Sequence, residues 1–142
     1  MRYYFKDSLL ISKSNRARAL FSSYKRGYRQ VCLSGQRGCG KTVDLLLYAL
    51  WLIKKNRNFR VNWARSEYST IATTVIETLE QDIFKYPLGD SRNKHPKNPF
   101  RLIGGTERPK RMAFDNGSSL RFVGLDNKSK SRGSAADLNI LN

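Results

Sequence analysis

Apolar side chains change their spacing along this chain, and each change marks an element. From Ser14 to Tyr24, residues Ala17, Leu20, Phe21 and Tyr24 recur at i, i+3, i+4 and i+7, with Arg16 and Arg18 on other faces. This predicts a short amphipathic helix that Gly27 stops. Val31, Cys32 and Leu33, within Gln30 to Ser34, predict a brief buried strand running into a glycine-rich turn. Thr42 to Lys55 is apolar nearly all round and closes on Lys54-Lys55 beside the negative helix end, so it predicts a heavily buried helix. Phe59, Val61 and Trp63 alternate with Arg60, Asn62 and Ala64, which predicts a second strand. Ile71, Val75, Leu79 and Ile83 then repeat every four residues, predicting a helix over 70–84.

Strand, glycine turn, helix, strand, helix is the order of a βαβ unit, and the right-handed crossover rule makes its strands parallel. The class is α/β. Residues 85–110 show no periodicity and hold Pro87, Pro96, Pro99 and Pro109 among many basic side chains, so they read as a basic, mobile insertion. Met112 and Phe114 alternate up to Asp115-Asn116-Gly117-Ser118, and Leu120 and Phe122 alternate away from it. Asn-Gly between such runs predicts a hairpin with positive φ at both central residues. Asp137 to Asn142 is one more strand-like run, with Asp137 before the strand as a loop cap.

Composition narrows the partner. The 142 residues carry 27 Lys and Arg against 11 Asp and Glu, a formal charge of +16, and the first 60 hold only two acids, Asp7 and Asp44. Such an excess favours a polyanion. The longest apolar run, Leu45 to Ile53, is about half a membrane span, so a soluble protein without a membrane partner is expected. Cys32 and Cys39 are too few for a disulfide scaffold, and His95 has no partner in sequence for a zinc site.

Gly35-Gln36-Arg37-Gly38-Cys39-Gly40-Lys41-Thr42 matches the phosphate-binding (Walker A) pattern G-x-x-x-x-G-K-[ST] at every fixed position. Chance gives such a match in about one chain in two hundred of this length. The glycines let main-chain N–H groups converge on phosphate oxygens, and the following helix aims its positive end at the same point. Lys41 would place an ammonium against the β and γ phosphates, and Thr42 would offer its hydroxyl to Mg²⁺. Arg37 has two readings, a contact to the γ phosphate or a surface arginine. Cys39 reads as a small filler of the loop.

Further segments stand in a telling order. Tyr28-Arg29-Gln30-Val31 leads into the loop, and Ala64-Arg65-Ser66-Glu67-Tyr68-Ser69-Thr70 follows the second strand. Phe114-Asp115-Asn116-Gly117-Ser118 runs through to Phe122-Val123-Gly124-Leu125-Asp126, and Arg132-Gly133 precede Asp137-Leu138-Asn139-Ile140-Leu141-Asn142. With these, the chain resembles the N-terminal ATPase half of the large terminase subunit of tailed bacteriophages, the DNA-packaging motor.

The resemblance implies a P-loop NTPase with a parallel-sheet core, flanking helices and an inserted β-hairpin. It also implies ATP hydrolysis with Mg²⁺ that drives double-stranded DNA into a capsid in the host cytoplasm. The partners implied are the portal protein, the small terminase subunit and further copies of the chain in a ring. Arg37 becomes catalytic beside Lys41; Tyr28, Arg29 and Gln30 become candidates for the adenine; and Arg65 would face the nucleotide crevice. Thr42 and Asn142 would stand at the metal. Gln36 and Cys39 depart from the small residues usual in that family's loop, and Asn142 falls where an acid is common. The glutamate expected next, the rest of the sheet and the nuclease half are missing, so the chain reads as an incomplete domain that binds nucleotide and hydrolyses it poorly.

The expected division is a leader helix over 1–27, a βαβα phosphate-binding core over 28–84, the insertion over 85–110, and a hairpin with the start of the Walker B strand over 111–142. Two other classes fit the same loop. One is a nucleotide or small-molecule kinase, which would need an acceptor; the other is a basic adaptor that only grips a phosphate.

Overall fold

Trp63 is fully buried in a five-stranded sheet, and the elements around it follow from the alternation that set it there. The computed structural model describes residues 15–28, 30–34, 36–88, 98–126 and 135–142. Arg29, Gly35, His95 and the pair Arg132-Gly133 lie outside the described residues.

Helix α1 spans Asn15–Lys25 and α2 spans Lys41–Lys55. Strand β1 is Arg60–Arg65, and a third helix, α3, covers residues 70–84. Strands β2 (Phe100–Ile103), β3 (Arg111–Phe114), β4 (Ser119–Gly124) and β5 (Leu138–Leu141) complete the sheet. The spatial order is β2-β3-β4-β1-β5. β1 runs parallel to both β4 and β5, whereas β2, β3 and β4 form an antiparallel meander. The architecture is therefore α/β with a mixed sheet, and the hairpin is part of that sheet rather than an insertion beside it.

Register sorts the side chains by face. Leu102, Met112, Leu120 and Val61 lie in one cross-strand row, and Phe122, Trp63 and Ile140 in the next. All seven belong to the core, together with Leu46, Leu50 and Ile53 of α2 and Ile71, Val75 and Leu79 of α3. Both helices thus cover the same side of the sheet, as the near-continuous apolar surface of α2 requires. α1 stacks on α2 from outside through Phe21 and Trp51, whose ring centroids are 4.4 Å apart in an edge-on arrangement. Lys55 Nζ lies 4.8 Å from the Trp51 ring centroid, a cation–π contact.

The helix expected over 70–84 forms, but much of it is π-helical, at Ala72–Ile76 and Leu79–Phe84. An α-helix gains about 40° beyond a full turn every four residues, so a strict four-residue stripe drifts across its surface. Looser i→i+5 winding keeps Ile71, Val75 and Leu79 on the sheet. Thr74 and Thr78 also donate their hydroxyls to the carbonyls of Thr70 and Thr74, back-bonding that competes with the regular ladder.

Three expectations need correction. Residues 30–34 are not a buried strand: Val31 is 45% exposed, and none of the five described strands pairs with the segment. A strand exists through its ladder, and three apolar residues without one stay irregular. The βαβ crossover from this segment to β1 is therefore not formed among the described residues. Second, residues 85–110 are not all a solvated insertion. Phe100 and Leu102 are buried in β2, and buried Asn98 donates to the Leu88 carbonyl at 2.9 Å while accepting from the Tyr86 hydroxyl at 2.6 Å. Residues 89–97 lie outside the described residues.

Third, the hairpin turn has positive φ only at Gly117 (φ 83°), not at Asn116. Gly117 donates to the Phe114 carbonyl at 3.1 Å and Phe114 N–H to the Ser118 carbonyl at 2.9 Å, a three-residue loop closed by a left-handed glycine. The Asn116 side chain is thereby released for another task. Its Nδ2 donates to the carbonyls of Ile53 at 2.8 Å and Asn56 at 3.3 Å, and Ser118 Oγ donates to Asn56 O at 3.0 Å. The turn caps the end of α2, where carbonyls lack intrahelical donors. Asn116→Ala is expected to cost about 1–3 kcal/mol, read as a lower denaturant midpoint at unchanged slope.

Candidate phosphate-binding site

The loop between residues 36 and 41 bends at two glycines in left-handed conformations, Gly38 (φ 79°) and Gly40 (φ 85°). A side chain at either position would be strained; at Gly40 this accounts for the glycine the pattern fixes, and Gly38 adds a second such bend at a position the pattern leaves open. Gly40 is the N-cap of α2 and makes no side-chain capping bond; its carbonyl accepts from Asp44 N–H at 3.0 Å. The first turn of α2 therefore presents its positive end to whatever the loop encloses, without an N-cap side chain across it, and Asp44 is the buried acid of that turn.

Lys41 folds back over the loop. Its Nζ donates to the Gln36 carbonyl at 2.8 Å and lies 3.6 Å from Cys39 Sγ. The ammonium thus sits among the loop's own atoms, where a phosphate would meet it. Cys39 is half-buried, as a filler should be, whereas Arg37 is exposed at the turn. Tyr28 is 60% exposed and Gln30 is also exposed, which leaves the Tyr28 ring open for stacking. Gly35 and Arg29 lie outside the described residues.

Thr42 has a partner from the far end of the chain. Asn142 Nδ2 donates to Thr42 Oγ1 at 3.2 Å, across 100 positions of sequence. The strand that delivers it is β5, whose parallel pairing with β1 is prolonged by Asn142 N–H donating to the Ala64 carbonyl at 2.9 Å. The carboxyl end of β5 and the start of α2 thus meet, the crevice position that open α/β sheets use for ligands. Asp137 lies at the opposite end of that strand. Its Oδ2 accepts from Arg60 N–H and its own N–H donates to Arg60 O, both at 2.8 Å, so it locks the register of β5 on β1.

Arg65, the last residue of β1, shares the helix-covered face with Val61 and Trp63. Its Nη1 donates to Thr74 Oγ1 at 2.7 Å, and its Nε is buried without a partner among the described residues. The guanidinium ties the strand end to the π-helical turn of α3. Sequence reasoning missed this tie, because Arg65 and Thr74 belong to different elements.

Thr42 Oγ1 and the Asn142 amide are the two groups that meet at the expected metal position. Both are neutral, and among the described residues no cluster of three or more His, Cys, Asp or Glu could hold a metal. Such a pair fits Mg²⁺ that keeps its waters and is held mainly by nucleotide phosphates. Among the described residues no helix is long and apolar enough to cross a membrane. Comparison of the chain with protein families, with curated proteins and with solved structures returns no match.

Proposed function

We propose that the chain is the ATP-binding part of a viral DNA-packaging motor, a P-loop ATPase acting on double-stranded DNA in the host cytoplasm. One observation supports the nucleotide half of this reading above all others: the contact of Asn142 with Thr42, which brings the end of a parallel strand to the mouth of the glycine loop. In the proposed role, main-chain N–H groups of residues 36–42 and the α2 N-terminus bind the phosphates, Lys41 leaves Gln36 to neutralise them, and Arg37 reaches the γ phosphate from the rim. ATP with Mg²⁺ would supply the transferable phosphoryl group. The motor half rests on the terminase resemblance and the +16 charge, and it carries the portal protein, the small terminase subunit and a ring of copies with it.

Binding and turnover should separate. A carboxylate at position 142 would charge the metal site, whereas an amide leaves it neutral, so the chain is expected to bind ATP and to hydrolyse it slowly. Titration with ATP and magnesium should move the amide resonances of residues 36–42, and steady-state phosphate release should stay near background. Unmoved resonances would end the nucleotide reading. Turnover at a rate typical of a complete ATPase, lost in Lys41→Ala, would end the claim of slow hydrolysis.

A further inference from the structure

The side of the sheet opposite the helices carries a different row of residues. Ile103 of β2 pairs with Arg111 of β3, Arg111 with Arg121 of β4, and Arg121 with Asn62 of β1. Two arginines thus stand directly opposite each other on neighbouring strands, an arrangement that destabilises a sheet unless an anion lies between them. Among the described residues neither has an acidic partner. They line a cleft of about 1160 Å³ together with Arg108 and Lys110, and against these four cations stand two acids, Glu107 and Asp126.

The walls of this cleft are fixed. Tyr68 donates its hydroxyl to the Pro109 carbonyl at 2.6 Å, which pins the β2–β3 connection to the segment after β1. Lys110 N–H closes the same connection onto Ile103 O at 2.8 Å. Gly104, with φ 94°, packs so tightly on the backbone of Arg108 and Lys110 that a side chain there would collide. Burial pushes the Tyr68 phenol up, and the charge of Arg108 beside it works in the opposite direction.

We infer that this cleft is where the phosphate backbone of double-stranded DNA docks. Small-molecule sites span about 300–1,000 Å³ and carry few charges; this cleft is larger, and cations from three successive elements stand along its largely apolar lining. A row of phosphates fits that arrangement, because several charges are needed to occupy it. The inference rests on the motor reading for its partner and deepens it by placing the DNA. Leu125 and Asp126 N–H groups extend the parallel pairing of β4 beside the end of β1, so the cleft opens at the same carboxyl edge of the sheet as the Thr42–Asn142 contact. Two strand spacings, about 10 Å, separate β4 from β5.

The test compares two double variants of equal charge change, Arg111→Gln with Arg121→Gln in the cleft, and Lys25→Gln with Arg26→Gln at the end of α1. Binding of a mixed-sequence DNA duplex is measured from about 50 to 200 mM salt. The cleft variant is expected to lose about two units from the slope of log affinity against log salt, with weaker binding at every salt concentration. Its thermal midpoint should not fall, since a like-charge pair has been removed. The α1 variant should change the slope far less. Equal effects of the two variants, no effect of either, or polyglutamate displacing DNA from the wild-type cleft at matched charge would overturn the inference. ATP titration of the cleft variant keeps the readings apart: ATP binding without a cleft effect sinks the cleft alone, and a cleft effect without ATP binding sinks the nucleotide site alone.

Discussion

Lys41→Ala is expected to weaken ATP binding by roughly 10- to 100-fold, the equivalent of about 1.5–3 kcal/mol of charge-assisted hydrogen bonding. The ammonium bonds within its own loop, to Gln36 O at 2.8 Å and Cys39 Sγ at 3.6 Å, so binding would exchange neutral acceptors for charged phosphate oxygens. The alanine variant removes that charge while leaving the glycine conformations and the α2 N-terminus in place. Far-UV circular dichroism should be unchanged, and calorimetric titration with ATP and magnesium reads the affinity. An affinity equal to that of the parent chain would mean that the loop does not cradle a phosphate.

Gly117→Val should destabilise the fold by about 3–4 kcal/mol, more than the loss of the neighbouring Asn116 side chain. A β-branched residue held at φ 83° costs about 1–2 kcal/mol in backbone strain alone. A Cβ there would also run into Asn58 Oδ1, and Asn58 N–H donates to Asn116 O at 3.3 Å. Relief requires the turn to back away from α2, which breaks capping bonds worth about 1 kcal/mol each. Denaturant titration should show the fall in stability, and a variant as stable as the parent would show that the turn carries no such function. Both expectations come from one design: a sheet hairpin that also terminates a helix.

Much of this was legible from spacing. The surfaces of α2 and β1, the hairpin around Gly117 and the helix over 70–84 are all local patterns, and local patterns are what periodicity reads. The misses have particular causes. Val31, Cys32 and Leu33 have the composition of a strand, but strand identity comes from a neighbour, and none is paired with them among the described residues. Phe100 and Leu102 alternate over only four residues straight after Pro99, too short a signal to stand out in a proline-rich stretch. The Asn116-Gly117 pair does sit in the turn, yet only the glycine is left-handed, and the asparagine is used for its amide and not for its backbone.

The candidate site was legible to the same degree. Gly35, Gly40, Lys41 and Thr42 could be named from the pattern, since the chemistry of phosphate binding fixes residue types at fixed offsets. The meeting of Asn142 with Thr42, the tie from Arg65 to Thr74 and the arginine row across β3 and β4 could not. Each depends on strand order and register, which no stretch of ten residues contains.

Among the described residues β5 pairs with β1 along one margin only, and its Leu141 is 75% exposed. Main-chain donors and acceptors along such a rim offer a template to any passing extended segment, including the same rim of another molecule. The chain's surplus of positive charge acts against that encounter, because two approaching copies repel before their rims can align. Repulsion of this kind is screened by dissolved ions, so ionic strength sets how far the exposed rim governs self-association.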